Sequence, residues 1–104
     1  MINMYKVKIT VMKIITHQDL INKYENPILH ACNLKEGDSF VSLNATKPEN
    51  FCESAWTSIY PFVKDLAEGK SNFYDGWMKD PDSAMISCND GFRPVSFYLE
   101  KMKD

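Results

Sequence analysis

Ala84-Met85-Ile86-Ser87-Cys88-Asn89-Asp90-Gly91-Phe92-Arg93-Pro94-Val95-Ser96-Phe97-Tyr98-Leu99-Glu100-Lys101-Met102 is the stretch whose reading decides the fold. A short apolar run meets an Asn-Asp-Gly turn, and a longer alternating run follows. That order predicts a β-hairpin. In the second arm Val95, Phe97 and Leu99 point one way, and Ser96, Tyr98 and Glu100 the other. Period-two alternation is what a strand with one buried face requires. Pro94 has no N–H for a ladder, so it belongs at the start of that strand or on an edge.

Working back from the hairpin, the segment 70–82 is rich in turn signals: Asn72, Asp75-Gly76 and Asp80-Pro81. It also carries Phe73, Tyr74 and Trp77. Three aromatics in one loop cover the core, line a groove or meet a second subunit. Core cover is the preferred reading, and a homodimer contact through the aromatic loop 71–78 is the partner the chain suggests.

Before this loop lies the clearest helix. Asn50 with Glu53 three residues on is a capping-box pattern, which predicts Phe51 as the first helical residue and Cys52 as the second. Cys52, Ala55, Trp56, Ile59, Phe62, Val63 and Leu66 recur at the spacing of one buried stripe. Gly69 is the stop. Pro61 interrupts the hydrogen-bond ladder, and a kink is expected there because the stripe continues in phase across it.

The chain opens with a strand over 5–15. Tyr5, Val7, Ile9 and Val11 share one face, with Lys6, Lys8 and Thr10 on the other. After Val11 the alternation breaks, which calls for a bulge or a second buried face. Thr16 with Asp19 forms a weak capping box for a short helix ending near Tyr24, and Pro27 bars its extension. An irregular segment holding His30 and Cys32 follows. Glu36-Gly37-Asp38 then turns the chain into a short strand over 39–43. The sum is an α+β single domain, 1–104, with a small antiparallel sheet of about four strands packed against one main helix.

Composition narrows the function. An apolar fraction of 44% supports a real core. Twelve basic against fourteen acidic residues give a net charge of -2, which supplies no general field for phosphates and argues against nucleic-acid binding. No run is long and apolar enough to span a bilayer, and the opening residues do not read as a secretory leader, so a cytoplasmic placement is expected. Three cysteines in a reducing compartment make a disulfide scaffold a poor reading.

The candidates for chemistry are therefore thiols. Cys52, if in the first helical turn, sits where exposed N–H groups and the dipole favour a thiolate; as part of the apolar stripe it is equally a packed, inert side chain. Cys88 abuts the hairpin turn. Cys32, with His30 nearby, resembles half of a chelating pair, but closely spaced zinc motifs are missing. A metal site would need Cys32, Cys52 and Cys88 to converge, and zinc or iron suits such donors. Asp90 and Arg93 flank the same turn, with Arg93 able to hold a carboxylate or phosphate at two points or to pair with Asp90 or Asp82.

Four quoted stretches carry a resemblance: Tyr5-Lys6-Val7-Lys8-Ile9-Thr10-Val11, Cys32 ahead of Glu36-Gly37-Asp38-Ser39-Phe40, Pro48-Glu49-Asn50-Phe51-Cys52-Glu53-Ser54-Ala55-Trp56, and Cys88 through Phe97. The last reads Cys-x-Asp-Gly-x-Arg-Pro-Val-x-Phe. Together they resemble a family of small bacterial and archaeal proteins with no established activity. The resemblance implies that Cys32, Cys52, Cys88, Asp90, Arg93 and Pro94 fall on characteristic positions, favouring a common cysteine-lined site. His30 is outside the pattern. Three readings stay open: a small binding or accessory domain with a cysteine-lined metal or small-ligand site, a structural or interaction protein with packed cysteines, and a thiol-dependent redox enzyme using Cys52.

Overall fold

A computed structural model describes residues 4–27 and 33–103. Six elements follow in order: β1 (Val7–Ile14), α1 (Gln18–Tyr24), β2 (Ser39–Ser42), α2 (Glu53–Ala67), β3 (Ser83–Ser87) and β4 (Val95–Lys101). The strands form one antiparallel sheet in the order β2-β1-β4-β3, so the first and last strands of the chain are the central pair. α2 packs on one face of that sheet, and the architecture is α+β as expected.

Alternation in the strands sets which face is buried. Val7, Ile9 and Val11 of β1 and Val95, Phe97 and Leu99 of β4 are buried beneath α2, which contributes Ala55, Ile59, Val63, Leu66 and Ala67. The register breaks between Val11 and Lys13, so Met12 is the extra residue of a bulge. This resolves the lost alternation in favour of a bulge. One inserted residue also reverses parity: Lys13 pairs with Ser96 on the outer face, beside Thr10 and Lys8 rather than under the helix.

α2 begins two residues later than the capping-box pattern suggests. Asn50 is left-handed at φ 63°, Cys52 is extended and serves as the N-cap residue, and the first turn closes through Trp56 N–H donating to Cys52 O at 2.9 Å. The reason is Phe51. Its ring is drawn into the core against Phe40, Trp56 and Phe97, with centroids 5.0, 6.2 and 5.4 Å away. That insertion needs an extended backbone approach. Glu53 turns outward to Lys47 at 3.2 Å instead of reaching back to Asn50.

Pro61 does not divide the helix, which runs unbroken from Glu53 to Ala67. The proline removes one donor, and its ring faces solvent. The helix ends in a Schellman arrangement, with Lys70 N–H donating to Asp65 O and Gly69 N–H to Leu66 O. Gly69 supplies the left-handed φ of 91° that this geometry demands. Tyr5 N–H then donates to Ala67 O at 2.8 Å, tying the end of α2 to the approach to β1.

α1 starts at Gln18 with His17 as N-cap residue, so Thr16 does not form the expected capping box. None of its residues is fully buried. It is attached through the backbone of His17, whose N–H donates to Phe92 O at 2.9 Å, and through Glu25 just past its end.

Asp82 closes the opposite corner. Its two carboxylate oxygens meet Lys101 at 3.1 Å and Lys103 at 2.7 Å. Hydrogen bonding from Lys103 and then Lys101 holds the Asp82 carboxyl below its ordinary 3.8. Glu68, bonded to Lys64, is likewise held below its ordinary 4.5. A depressed carboxyl stabilises the fold at pH values above its unfolded-state value, and that contribution is lost as pH falls through the depressed folded value. Stability should therefore decline as pH drops below 4, and Asp82→Asn should flatten that decline in acid-unfolding titrations followed by circular dichroism. An unchanged acid limb in the variant would remove Asp82 from the account.

Candidate functional site

The tie between Tyr5 and Ala67 puts the C-terminus of α2 beside the start of β1. The helix thus begins at the other end of the sheet, where β1 finishes at Ile14 opposite Val95. Phe51, one residue before Cys52, packs on Phe97 in β4 and Phe40 in β2, so the helix start lies over these strands. Cys88 faces Val95 at this same end. Cys52 and Cys88 are both half-buried and both pack against the core. Across the sheet they are separate, however: Cys88 follows β3, the edge strand opposite β2.

A cleft of about 760 Å³ opens beside Cys52. Leu34, Phe40 and Phe51 supply its apolar lining; Asn33, Asp38, Ser39, Asn50 and Cys52 supply polar atoms. Its walls are built from the turn before β2 and the segment leading into α2. In that turn Gly37 takes φ 94°, Asp38 N–H donates to Lys35 O, and Asp38 Oδ2 accepts from Lys35 N–H at 2.9 Å. Gly37 N–H and Asp38 O both bond across to Val11, and Glu36 Oε2 accepts from Ile14 N–H. The wall is thereby pinned to β1 along the bulge. On the other side Lys47 Nζ donates to Phe51 O at 3.2 Å, and Cys52 Sγ lies 3.4 Å from Ser54 Oγ.

The hairpin residues have different surroundings. Cys88 N–H donates to Val95 O at 3.0 Å, as a ladder pair should. The return bond goes to sulfur: Val95 N–H donates to Cys88 Sγ at 3.3 Å, while Cys88 O accepts from Ser87 Oγ. Asp90 Oδ1 accepts from Phe92 N–H at 2.8 Å and Arg93 N–H at 3.1 Å, so the carboxylate shapes the connection. Gly91 is not left-handed. The Asn-Asp-Gly signal is realised as a side-chain-stabilised loop from Asn89 to Pro94 rather than a tight two-residue turn. Pro94 precedes β4 directly, and its carbonyl accepts from Ile15 N–H.

Arg93 pairs with neither Asp90 nor Asp82. Its Nη1 lies 2.9 Å and 3.0 Å from the two oxygens of Glu25, with side chains only 28% and 14% exposed. Glu25 carried no signal in the sequence, because the pairing joins the end of α1 to a loop far along the chain. Cys32 and His30 lie outside the described residues; Asn33, which follows Cys32 in sequence, lines the cleft. Among the described residues no three His, Cys, Asp or Glu side chains are grouped to hold a metal ion. Nor is any helix among them long and apolar enough to cross a membrane.

The aromatic loop divides its duties. Phe73 packs on the core and on Phe62 at 5.4 Å, which agrees with core cover. Tyr74 and Trp77, in edge contact at 5.2 Å, are 72% and 43% exposed. Asn72, Tyr74, Asp75 and Gly76 are all left-handed, and Asn72 Oδ1 accepts from Gly76 N–H at 2.8 Å to hold the turn. No protein-family model matches the chain, and neither does any curated protein or solved structure.

Proposed function

We infer that the protein is a small binding or accessory domain whose ligand site is the Cys52-lined cleft at the start of α2. The observation that carries this reading is the cleft itself. Its volume of about 760 Å³ falls within the range of small-molecule sites, and it combines aromatic walls with convergent polar atoms. Cys52 in the cleft lining, and the resemblance that counts Cys52 among its characteristic positions, support a cysteine-lined site. A soft metal such as zinc or iron is the ligand that would use several thiols together. Binding is preferred to thiol catalysis because Asp38 is the one other titratable group in the described lining, and a nucleophilic cysteine calls for an adjacent base.

The test joins elemental analysis of protein purified without oxygen or chelator to thiol titration in the native state. Cys52→Ser should abolish the ligand-sensitive labelling phase while Cys88→Ser leaves it. Bound metal or ligand should slow the Cys52 phase about tenfold or more, because accessibility governs thiol reactivity. Metal-free protein with uniformly slow thiols would leave only packed cysteines.

A second reading, an interaction protein that pairs with a second copy through loop 71–78, draws on the exposure of Tyr74 and Trp77. Tyr74 and its neighbour Asp75 hold left-handed backbone, which stores strain of the kind found at working surfaces. Asp75 in the loop, with Lys79 and Asp80 just beyond it, supplies charges of both signs, which suits a self-complementary contact. Dimer mass in light scattering that disappears in Tyr74→Ser/Trp77→Ser would support it; a monomer at high concentration would end it.

A further inference from the structure

Among the described residues no helix packs on the face of the sheet opposite α2, and its charge is unlike that of the whole chain. Lys8 and Lys13 stand on it by register, and Lys6 precedes them in phase. None of the three is ion-paired among the described residues, although Glu100 lies directly across from Lys8. The other cations of the sheet region behave differently: Lys101 and Lys103 both close on Asp82. In a chain of net charge -2, the outer face of β1 thus carries a local excess of positive charge, three lysines with Glu100 the one carboxylate paired across from them.

A row running across the sheet meets that stripe of lysines and becomes more apolar away from it. Thr10 pairs with Tyr98, and Tyr98 with Met85, across three adjacent strands, and Val41 flanks Lys8 on the other side. Val41 and Met85 are exposed, and Thr10 and Tyr98 are half-buried. The bulge at Met12 creates the arrangement, since without it Lys13 would turn beneath the helix.

We propose that this open face is a docking surface for an acidic amphipathic helix of a partner protein. Charge complementarity selects the occupant: carboxylates on the helix flank meet Lys6, Lys8 and Lys13, and its apolar stripe meets Tyr98 and Met85. A second copy docking face to face would set the lysine stripes of both chains against each other. Nucleic acid is disfavoured because the face presents one half-buried aromatic ring, with no arginine and no stacking platform. The proposal is independent of the Cys52 cleft, which lies on the helix side of the sheet.

The test is titration of the isotope-labelled chain with a synthetic amphipathic helical peptide bearing Leu on one face and Glu on the other. A Lys-for-Glu version and a mixed-sequence single-stranded oligonucleotide serve as comparisons. The acidic peptide should shift the amides of Lys8, Thr10, Met85 and Tyr98. The triple variant Lys6→Gln/Lys8→Gln/Lys13→Gln should bind it about tenfold more weakly or worse. These positions are exposed, so the variant should keep its melting midpoint close to that of the parent, which separates lost binding from lost fold. Absence of shifts on this face, equal binding of the Lys peptide, or an unaffected triple variant would overturn the proposal. So would tighter binding of the oligonucleotide, or self-association that shifts the same amides.

Discussion

Phe51→Ala should cost about 3–5 kcal/mol, a large part of the roughly 5–15 kcal/mol that holds a domain of this kind together. The ring is 4% exposed and touches Phe40 in β2, Trp56 in α2 and Phe97 in β4. Its loss removes contacts from three elements at once, and a cavity left among rigid aromatic neighbours collapses poorly. The ring also walls the cleft, so the variant should open that cleft while destabilising the fold. Urea titration would show a lower midpoint at an unchanged slope. A loss below about 1 kcal/mol would mean that the ring is not the junction described, since no truncation of a well-packed aromatic is so mild.

Arg93→Ala should have the next largest effect, about 2 kcal/mol, between the cost of breaking an exposed ion pair and a buried one. Glu25, 14% exposed, would be left with its charge uncompensated. The consequence should be local. α1 buries none of its residues fully and is held by this pair and by the His17–Phe92 backbone bond. Its amides should therefore lose most of their protection in hydrogen exchange, while β1 and β4 keep theirs. Arg93→Lys should restore only part of it, because one ammonium does not reproduce the guanidinium geometry. Equal loss of protection in the central strands would show that the pair supports the whole domain rather than the attachment of α1.

Arg93 also illustrates the limit of reading a site from sequence. Its place beside Asp90 and Cys88 suggested a ligand-binding turn, and both charged residues prove to be structurally engaged: Asp90 with the loop backbone, Arg93 with Glu25. Asp90 was foreseeable as a turn acceptor, because Asx side chains bond to nearby N–H groups whatever the fold. Glu25 was not, because an ion pair between distant segments leaves no periodic trace. The same holds for the cleft. Cys52 stood out by residue type, but Asn33, Asp38, Ser39 and Asn50 join it only once the turn before β2 and the entry to α2 are placed side by side.

The amino-acid sequence by itself determined the α+β class, the buried faces of β1 and β4, the stripe of α2 and its stop at Gly69. These follow from period-two and helical spacing and from the freedom of glycine, all of which act within a few residues. Only the tertiary structure decided the order β2-β1-β4-β3, the start of α2, the bulge that turns Lys13 outward and the cleft that forms beside Cys52. Each of these depends on contacts between distant segments. At the helix start, burying Phe51 among three aromatic neighbours outweighs the roughly 1 kcal/mol that an Asn cap contributes, so core packing overrides the local signal.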